Sequence, residues 1–187
     1  MKDKKEIKKE FRTIDIVYIA LGAVLITLCS WISIPTTVPF TMQTFAIFLV
    51  LSAFGGKRGT AAVIVYILLG TVGIPVFAHF TSGVGILLGS TGGYILGFIF
   101  MGLIYWLIIH LFGKKLWVEI LAMIIGLAVC YAFGTLWFMV VYARTNEAVG
   151  FAAVISWCVI PFIIPDLVKL AAAITLSRRL SPMLKIK

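Results

Sequence analysis

Asp166 and Lys169 stand three residues apart inside a segment otherwise fit for lipid, Pro161-Phe162-Ile163-Ile164-Pro165-Asp166-Leu167-Val168-Lys169. Carrying either charge to membrane depth costs about 2.5–3.5 kcal/mol on insertion scales, so such groups pair, face a cavity or mark a pathway. A spacing of i, i+3 sets both on one face of a helix. Two chemistries fit this couple: contact with a polar ligand, and proton relay. A third reading is an internal salt bridge that only neutralises both charges, since desolvation offsets much of a buried pair's attraction. Pro161 and Pro165 frame the pair. A helix proline frees the carbonyl four residues back, here those of Trp157 and Pro161, and loosened backbone beside a charged couple favours a polar pocket.

Catalysis and metal binding find little support. His79 and His110 have no metal-ligating neighbours at useful spacing, no H-E-x-x-H occurs, and Gly89-Ser90-Thr91-Gly92 is not a G-x-S-x-G elbow. Cys29, Cys130 and Cys158 lie in apolar segments with no C-x-x-C and read as small buried hydrophobes. No phosphate loop of the form G-x-x-x-x-G-K-[ST] is present, so ATP-driven work falls to a partner. The chain is expected not to be an enzyme and to need no cofactor.

The elements that position the couple are membrane spans. The chain of 187 residues is 62% hydrophobic and 12% charged, with mean hydropathy +1.14, which leaves too little charge to cover a soluble domain. Six spans are expected, at Ile14–Ser33, Thr41–Gly55, Gly59–Gly73, Thr91–Phe112, Leu116–Ala143 and Gly150–Leu176. The second and third fall short of the ~20 residues a crossing needs, so they must tilt, thin the bilayer or be shielded by neighbours.

Net charge is +9, yet the basic residues form no single patch for nucleic acid. They cluster before the first span (Lys2 to Arg12), at Lys57 and Arg58, at Lys114 and Lys115, and from Arg178 to Lys187. That places fourteen of the sixteen on one side of six crossings. The positive-inside rule makes this side, with both termini, cytoplasmic. The fold expected is an all-α membrane protein: a basic segment at 1–13, a six-helix membrane domain at 14–179 and a tail at 180–187. An uncleaved first span is expected rather than a signal peptide, because Ala-x-Ala-like cleavage residues are missing.

The outer connections, Ser33–Thr41 and Gly73–Gly83, carry no Lys, Arg, Asp or Glu and many apolar side chains. Five of six prolines (Pro35, Pro39, Pro75, Pro161, Pro165) map to the outer half. Irregular backbone at such depth is tolerated where protein buries it or a cavity is lined. These loops are therefore expected to fold over the bundle and cap a pocket; ordinary loops at headgroup level are the other reading. His79 is there either a pocket wall or solvent-facing. Trp31, Trp117, Trp137 and Trp157 lie near span ends, where aromatic belts form.

Four ordered blocks resemble one family. They are Ile32-Ser33-Ile34-Pro35 with Val38-Pro39-Phe40-Thr41-Met42-Gln43-Thr44-Phe45; Leu69-Gly70-x-x-Gly73-Ile74-Pro75-Val76-Phe77-Ala78; Leu88-Gly89-x-Thr91-Gly92-Gly93-Tyr94-x-x-Gly97-Phe98; and Pro161-Phe162-x-x-x-Asp166-Leu167-x-Lys169. From about Ala20 to the end, the chain resembles the BioY family, the biotin-specific S components of energy-coupling-factor (ECF) transporters. The resemblance implies a bacterial plasma-membrane protein that captures biotin from outside in a loop-capped pocket. It also implies a transmembrane coupling protein and two ATPases as partners.

By position, the resemblance assigns ligand contact to Asp166, Lys169, Gln43 and Thr81. Phe40, Phe77 and Tyr94 would supply apolar walls, and His79 and Gly83, in the outer loop with Phe77 and Thr81, are also expected at the ligand. Asp166 would accept from a ureido N–H of biotin, while Lys169 would meet either the ureido oxygen or the carboxylate. Relatives are typically glycine-rich where His79 to Ser82 stand here, and carry a proline where Ser90 stands. Some relatives have a cation where Ile95 stands, so another group must meet the carboxylate. Ala20, Gly22 and Ala23 offer a close-packing face for the coupling protein. The competing reading is a proton-coupled secondary transporter of a small organic anion, with Asp166 as proton carrier. The absence of an evident internal repeat counts against it.

Overall fold

A computed structural model describes residues 13–35, 38–144 and 150–182. The basic segment up to residue 12, Thr36 and Thr37 of the first outer loop, and Lys185 and Lys187 of the tail lie outside the described residues. Helix α1 (Thr13–Trp31) leads into a short antiparallel hairpin, β1 (Ser33–Ile34) and β2 (Phe40–Thr41). Then come α2 (Gln43–Phe54), α3 (Gly56–Thr71), a single 3-10 turn (Ala78–Phe80) and α4 (Val84–Leu88). Helices α5 (Gly92–Phe112), α6 (Leu116–Tyr142), α7 (Phe151–Cys158) and α8 (Ile160–Leu180) complete the order.

By length and apolarity, four helical stretches among the described residues reach membrane-spanning size: α1, α5, α6 and the α7–α8 run over Phe151–Leu180. Their outward side chains are apolar, among them Leu21, Leu28, Leu107, Leu136 and Val140, as a lipid-facing surface requires. The protein is a multi-pass membrane protein. Helix α2 has 12 residues, about 18 Å at ~1.5 Å per residue, well under the ~30 Å hydrocarbon core. It is apolar on all sides and enclosed by α1, α3 and α8: Ile47, Phe48, Val50 and Leu51 are wholly buried. Shielding by neighbours thus answers its shortness.

The joint between α2 and α3 is tighter than the expected spans, ending at Gly55 and resuming at Gly59, would make it. Gly55 alone makes it, at φ 87, a conformation open to glycine and costly to other residues. Helix α3 therefore starts at Gly56 rather than Gly59. The expected continuous last span is also corrected. The chain breaks at Val159 (φ −123, ψ −56) between α7 and α8. Pro161 falls in the first turn of α8, where its missing N–H leaves no hydrogen bond unmade. Only Pro165 lies inside a helix.

Helices α5 and α6 form the most extensive packed pair, while α2 lies against α8 despite their distance in sequence. The described basic pairs Lys57–Arg58, Lys114–Lys115 and Arg178–Arg179 all fall at the same end of the bundle as the start of α1. There Arg58 pairs with Asp15 at 2.6 Å. A second intramembrane carboxylate also sits toward this end. Glu119 is 2% exposed; Tyr105 donates to its Oε1 at 3.0 Å, and Ser52 Oγ lies 2.6 Å away.

Candidate ligand-binding site

At the opposite end, the N-terminal half of α8 carries Asp166 and Lys169 inward. They are 2% and 6% exposed, with Lys169 Nζ 2.9 Å from Asp166 Oδ1. Lys169 also donates to the Thr41 carbonyl at 2.7 Å and to Thr44 Oγ1 at 3.2 Å. An ammonium has three N–H groups, so all of its donors are committed. Asp166 is held from both sides. Thr44 donates to Oδ1 at 2.8 Å and Tyr131 to Oδ2 at 2.5 Å. A carboxylate offers about four acceptor positions, so Asp166 retains capacity for one more donor while Lys169 has none to give.

Gln43, at the first turn of α2, is fixed in the same network. Its Nε2 donates to the Tyr66 hydroxyl at 2.5 Å, and its Oε1 accepts from Thr41 Oγ1 at 3.0 Å. Above these groups lies a cavity of about 240 Å³, a little below the ~300–1,000 Å³ range of small-molecule sites. Asp166, Lys169, Tyr131, Thr44, Thr41 and Gln43 form its polar floor. Phe77, Ile86, Ile95, Phe98 and Phe162 line its sides, and Val38, Pro39, Ala78, His79 and Thr81 come from the two outer loops.

Two glycines make room for the aromatic walls. A Cβ on Gly70 would stand 2.1 Å from the Phe77 ring, and one on Gly134 would stand 2.2 Å from the Tyr94 ring. Phe77 is thereby seated edge-on to Tyr66, with centroids 5.6 Å apart. Tyr94 reaches Thr135 on α6, oxygen to oxygen 3.2 Å. The second outer loop is pinned to α1, because Ser30 Oγ donates to the Val76 carbonyl at 2.5 Å and Trp31 Nε1 to the Pro75 carbonyl at 3.0 Å.

The structure brings together Asp166, Lys169, Gln43, Thr81, Tyr94, Phe77 and His79 around this cavity. Phe40 and Gly83 are not among its lining residues. Phe40 lies behind the couple, its ring centroid 4.2 Å from Lys169 Nζ and 5.9 Å from that of Phe162. Gly83 anchors the loop, donating its N–H to the Gly70 carbonyl at 2.7 Å. The small-residue face on α1 is divided. Ala20 is exposed, whereas Gly22 and Ala23 are buried; a Cβ on Gly22 would meet Ala62 at 2.8 Å. Gly22 and Ala23 are thus taken up by packing inside the bundle, not left free for a partner.

Tyr131 and Thr44, both bonded to Asp166, were not foreseen. Thr44 had a signal, because Thr41, Gln43 and Thr44 crowd the start of an otherwise apolar helix. Tyr131 had only a faint one, a phenol with Thr135 four residues on.

Comparisons with known proteins identify the family and the fold. A family model, that of the BioY family, matches residues 2–186. The Biotin transporter BioY of Thermotoga maritima is 40% identical over 162 residues, covering 85% of this chain and 90% of that protein. The Probable biotin transporter BioY of Pyrococcus horikoshii is 38% identical over 143 residues, covering 76% and 80%. A solved structure of the S-component for biotin from an ECF-type ABC transporter superposes with a TM-score of 0.76. It covers 89% of this chain and 90% of its own, at 22% identity, a likeness of fold.

Proposed function

The chain belongs to the BioY family, and on that premise we propose that its cavity captures biotin from outside the cell. It acts as the substrate-binding S component of an ECF-type ABC importer. The observation that carries this reading is the floor of the cavity: a buried, hydrogen-bonded carboxylate with spare acceptor capacity beneath apolar walls. Biotin brings a ureido ring with N–H donors, an apolar thiophane and a valerate chain. Asp166 accepts from a ureido N–H, and the ring system and chain lie along Phe77, Ile95 and Phe98. Lys169, with its donors committed to Asp166, Thr44 and the Thr41 carbonyl, orients the carboxylate and holds the hairpin over the site.

In this reading the chain crosses a bacterial plasma membrane six times, by α1, α2, α3, α5, α6 and the α7–α8 run. Both termini lie on the inner side with the basic pairs, and the loops cap the pocket on the outer side. Uptake is driven by a transmembrane coupling protein and two ATPase subunits that use ATP. The relatives are transporters by name, and the chemistry this chain contributes is binding. Co-expression with a coupling module and measurement of biotin uptake test the proposal. Vanadate-sensitive uptake with stoichiometric co-purification of ATPases supports it. Uptake abolished by a protonophore and insensitive to vanadate contradicts it, and favours proton coupling through Asp166.

A further inference from the structure

We propose that His79 receives the carboxylate at the far end of the ligand and so makes the site selective for the free acid over neutral derivatives. The inference rests on the biotin reading and assigns the end of the ligand that the Asp166 floor leaves unmet. Lys169 is no candidate, because its three donors are already spent on Asp166, Thr44 and Thr41. Asp166 and Lys169 also neutralise each other, so the floor has no net charge to offer an anion. An unpaired carboxylate is costly to take from water. His79 is the other side chain able to carry positive charge among the described residues that line the cavity. Its ring makes no hydrogen bond or ion pair among the described residues, so its donor is available.

Position agrees with charge. Asp166 is buried at the floor, while His79 is exposed and still lines the cavity, which places it at the mouth. A ligand with an N–H-bearing ring at one end and a carboxylate on an apolar chain at the other would run from floor to mouth. There the carboxylate keeps water on one side and gains an imidazole N–H on the other, a donor in both the neutral and charged forms.

The loop backbone is shaped around this presentation. His79 and Phe80 are consecutive non-glycine residues at φ 56 and 58, a region few such residues enter. Such conformations persist where the surroundings over-determine them, and they cluster at ligand clamps. Here Phe77 N–H donates to the Thr81 carbonyl at 3.1 Å, and Thr81 Oγ1 to the Ala78 carbonyl at 2.9 Å. The reversal sends Phe80 outward against Trp31, with centroids 4.8 Å apart, and leaves His79 at the opening.

Calorimetry on the detergent-solubilised full chain, with biotin and with biotinamide, tests the assignment. Glycine adopts the backbone at position 79 without strain, so His79→Gly removes the ring and is compatible with the loop. The unaltered chain is expected to prefer biotin over biotinamide by about tenfold or more, the scale of one charge-assisted hydrogen bond. In His79→Gly that preference is expected to collapse through weaker biotin binding, with biotinamide affinity unchanged. A variant that keeps the wild-type preference overturns the assignment. So does one that loses both ligands equally, since the loop's shape rather than its imidazole would then be at work. Failure of the unaltered chain to bind either ligand overturns the biotin reading itself, a distinct result.

Discussion

Lys169 donates to the main-chain carbonyl of Thr41 at 2.7 Å, tying the last helix to the hairpin that follows the first. That bond joins a buried charge to a lid. The ammonium that neutralises Asp166 is the same group that holds β2 and the start of α2 over the cavity. Binding chemistry and loop position are therefore one network, and perturbing either partner should be felt in both.

Lys169→Met leaves Asp166 buried without its cation. Breaking a buried pair from one side costs about 3–5 kcal/mol, whereas replacing both partners by apolar or neutral groups costs much less. Thermal unfolding in detergent should therefore rank Lys169→Met below the double variant Asp166→Asn/Lys169→Met. A double variant melting below the single one contradicts the pairing.

Asp166→Asn removes the charged acceptor while keeping its shape. The hydrogen bond to a charged group is worth about 1.5–3 kcal/mol, so biotin affinity should fall by roughly ten- to a hundredfold. The protein should still elute as a folded species. Unchanged affinity in calorimetry removes Asp166 from the site.

Tyr131→Phe takes away the donor on Asp166 Oδ2, 2.5 Å distant, and nothing else. The aspartate then turns more freely, and binding should weaken by about 1 kcal/mol, the usual worth of one hydrogen bond. Calorimetry showing equal affinity for the variant and the unaltered chain means that Tyr131 does not orient Asp166.

Much of this site was legible because charge in an apolar run is conspicuous. Asp166 and Lys169 stand out in their segment, and α5 was placed within a residue because glycines precede it and Gly113-Lys114 follows. Tyr131 stayed hidden for a physical reason. A phenol within a membrane helix reads equally well as an interfacial residue, and its partner lies 35 residues away on another helix. Glu119 obeys the same rule as Asp166, but it stands in the first turn of the expected fifth span, close behind Lys114 and Lys115, where charge near a span end is ordinary. The break at Val159 also escaped notice, since Pro161 is compatible with a kink inside one helix and with the first turn of a new one. Gly22 and Ala23 show the limit of composition. Small residues mark a close approach but do not name the partner, which here is α3 of the same chain.

Gly70→Ala tests the wall. The added Cβ would stand 2.1 Å from the Phe77 ring, so Phe77 must leave its seat beside Tyr66. Overpacking of this kind costs about 1–3 kcal/mol, and both melting temperature and biotin affinity should drop. Gly150→Ala, where a Cβ meets nothing within 4 Å, is the control and should change neither. Equal behaviour of the two variants contradicts the seating of Phe77 against Gly70.

The central claim is that one small molecule is enclosed between the Asp166 floor and the outer loops. Native mass spectrometry of the purified chain after incubation with biotin tests it most directly. A single added mass of one biotin per chain, lost in Asp166→Asn at the same concentration, is the predicted result. A chain that stays unliganded, or an adduct that survives Asp166→Asn undiminished, contradicts it.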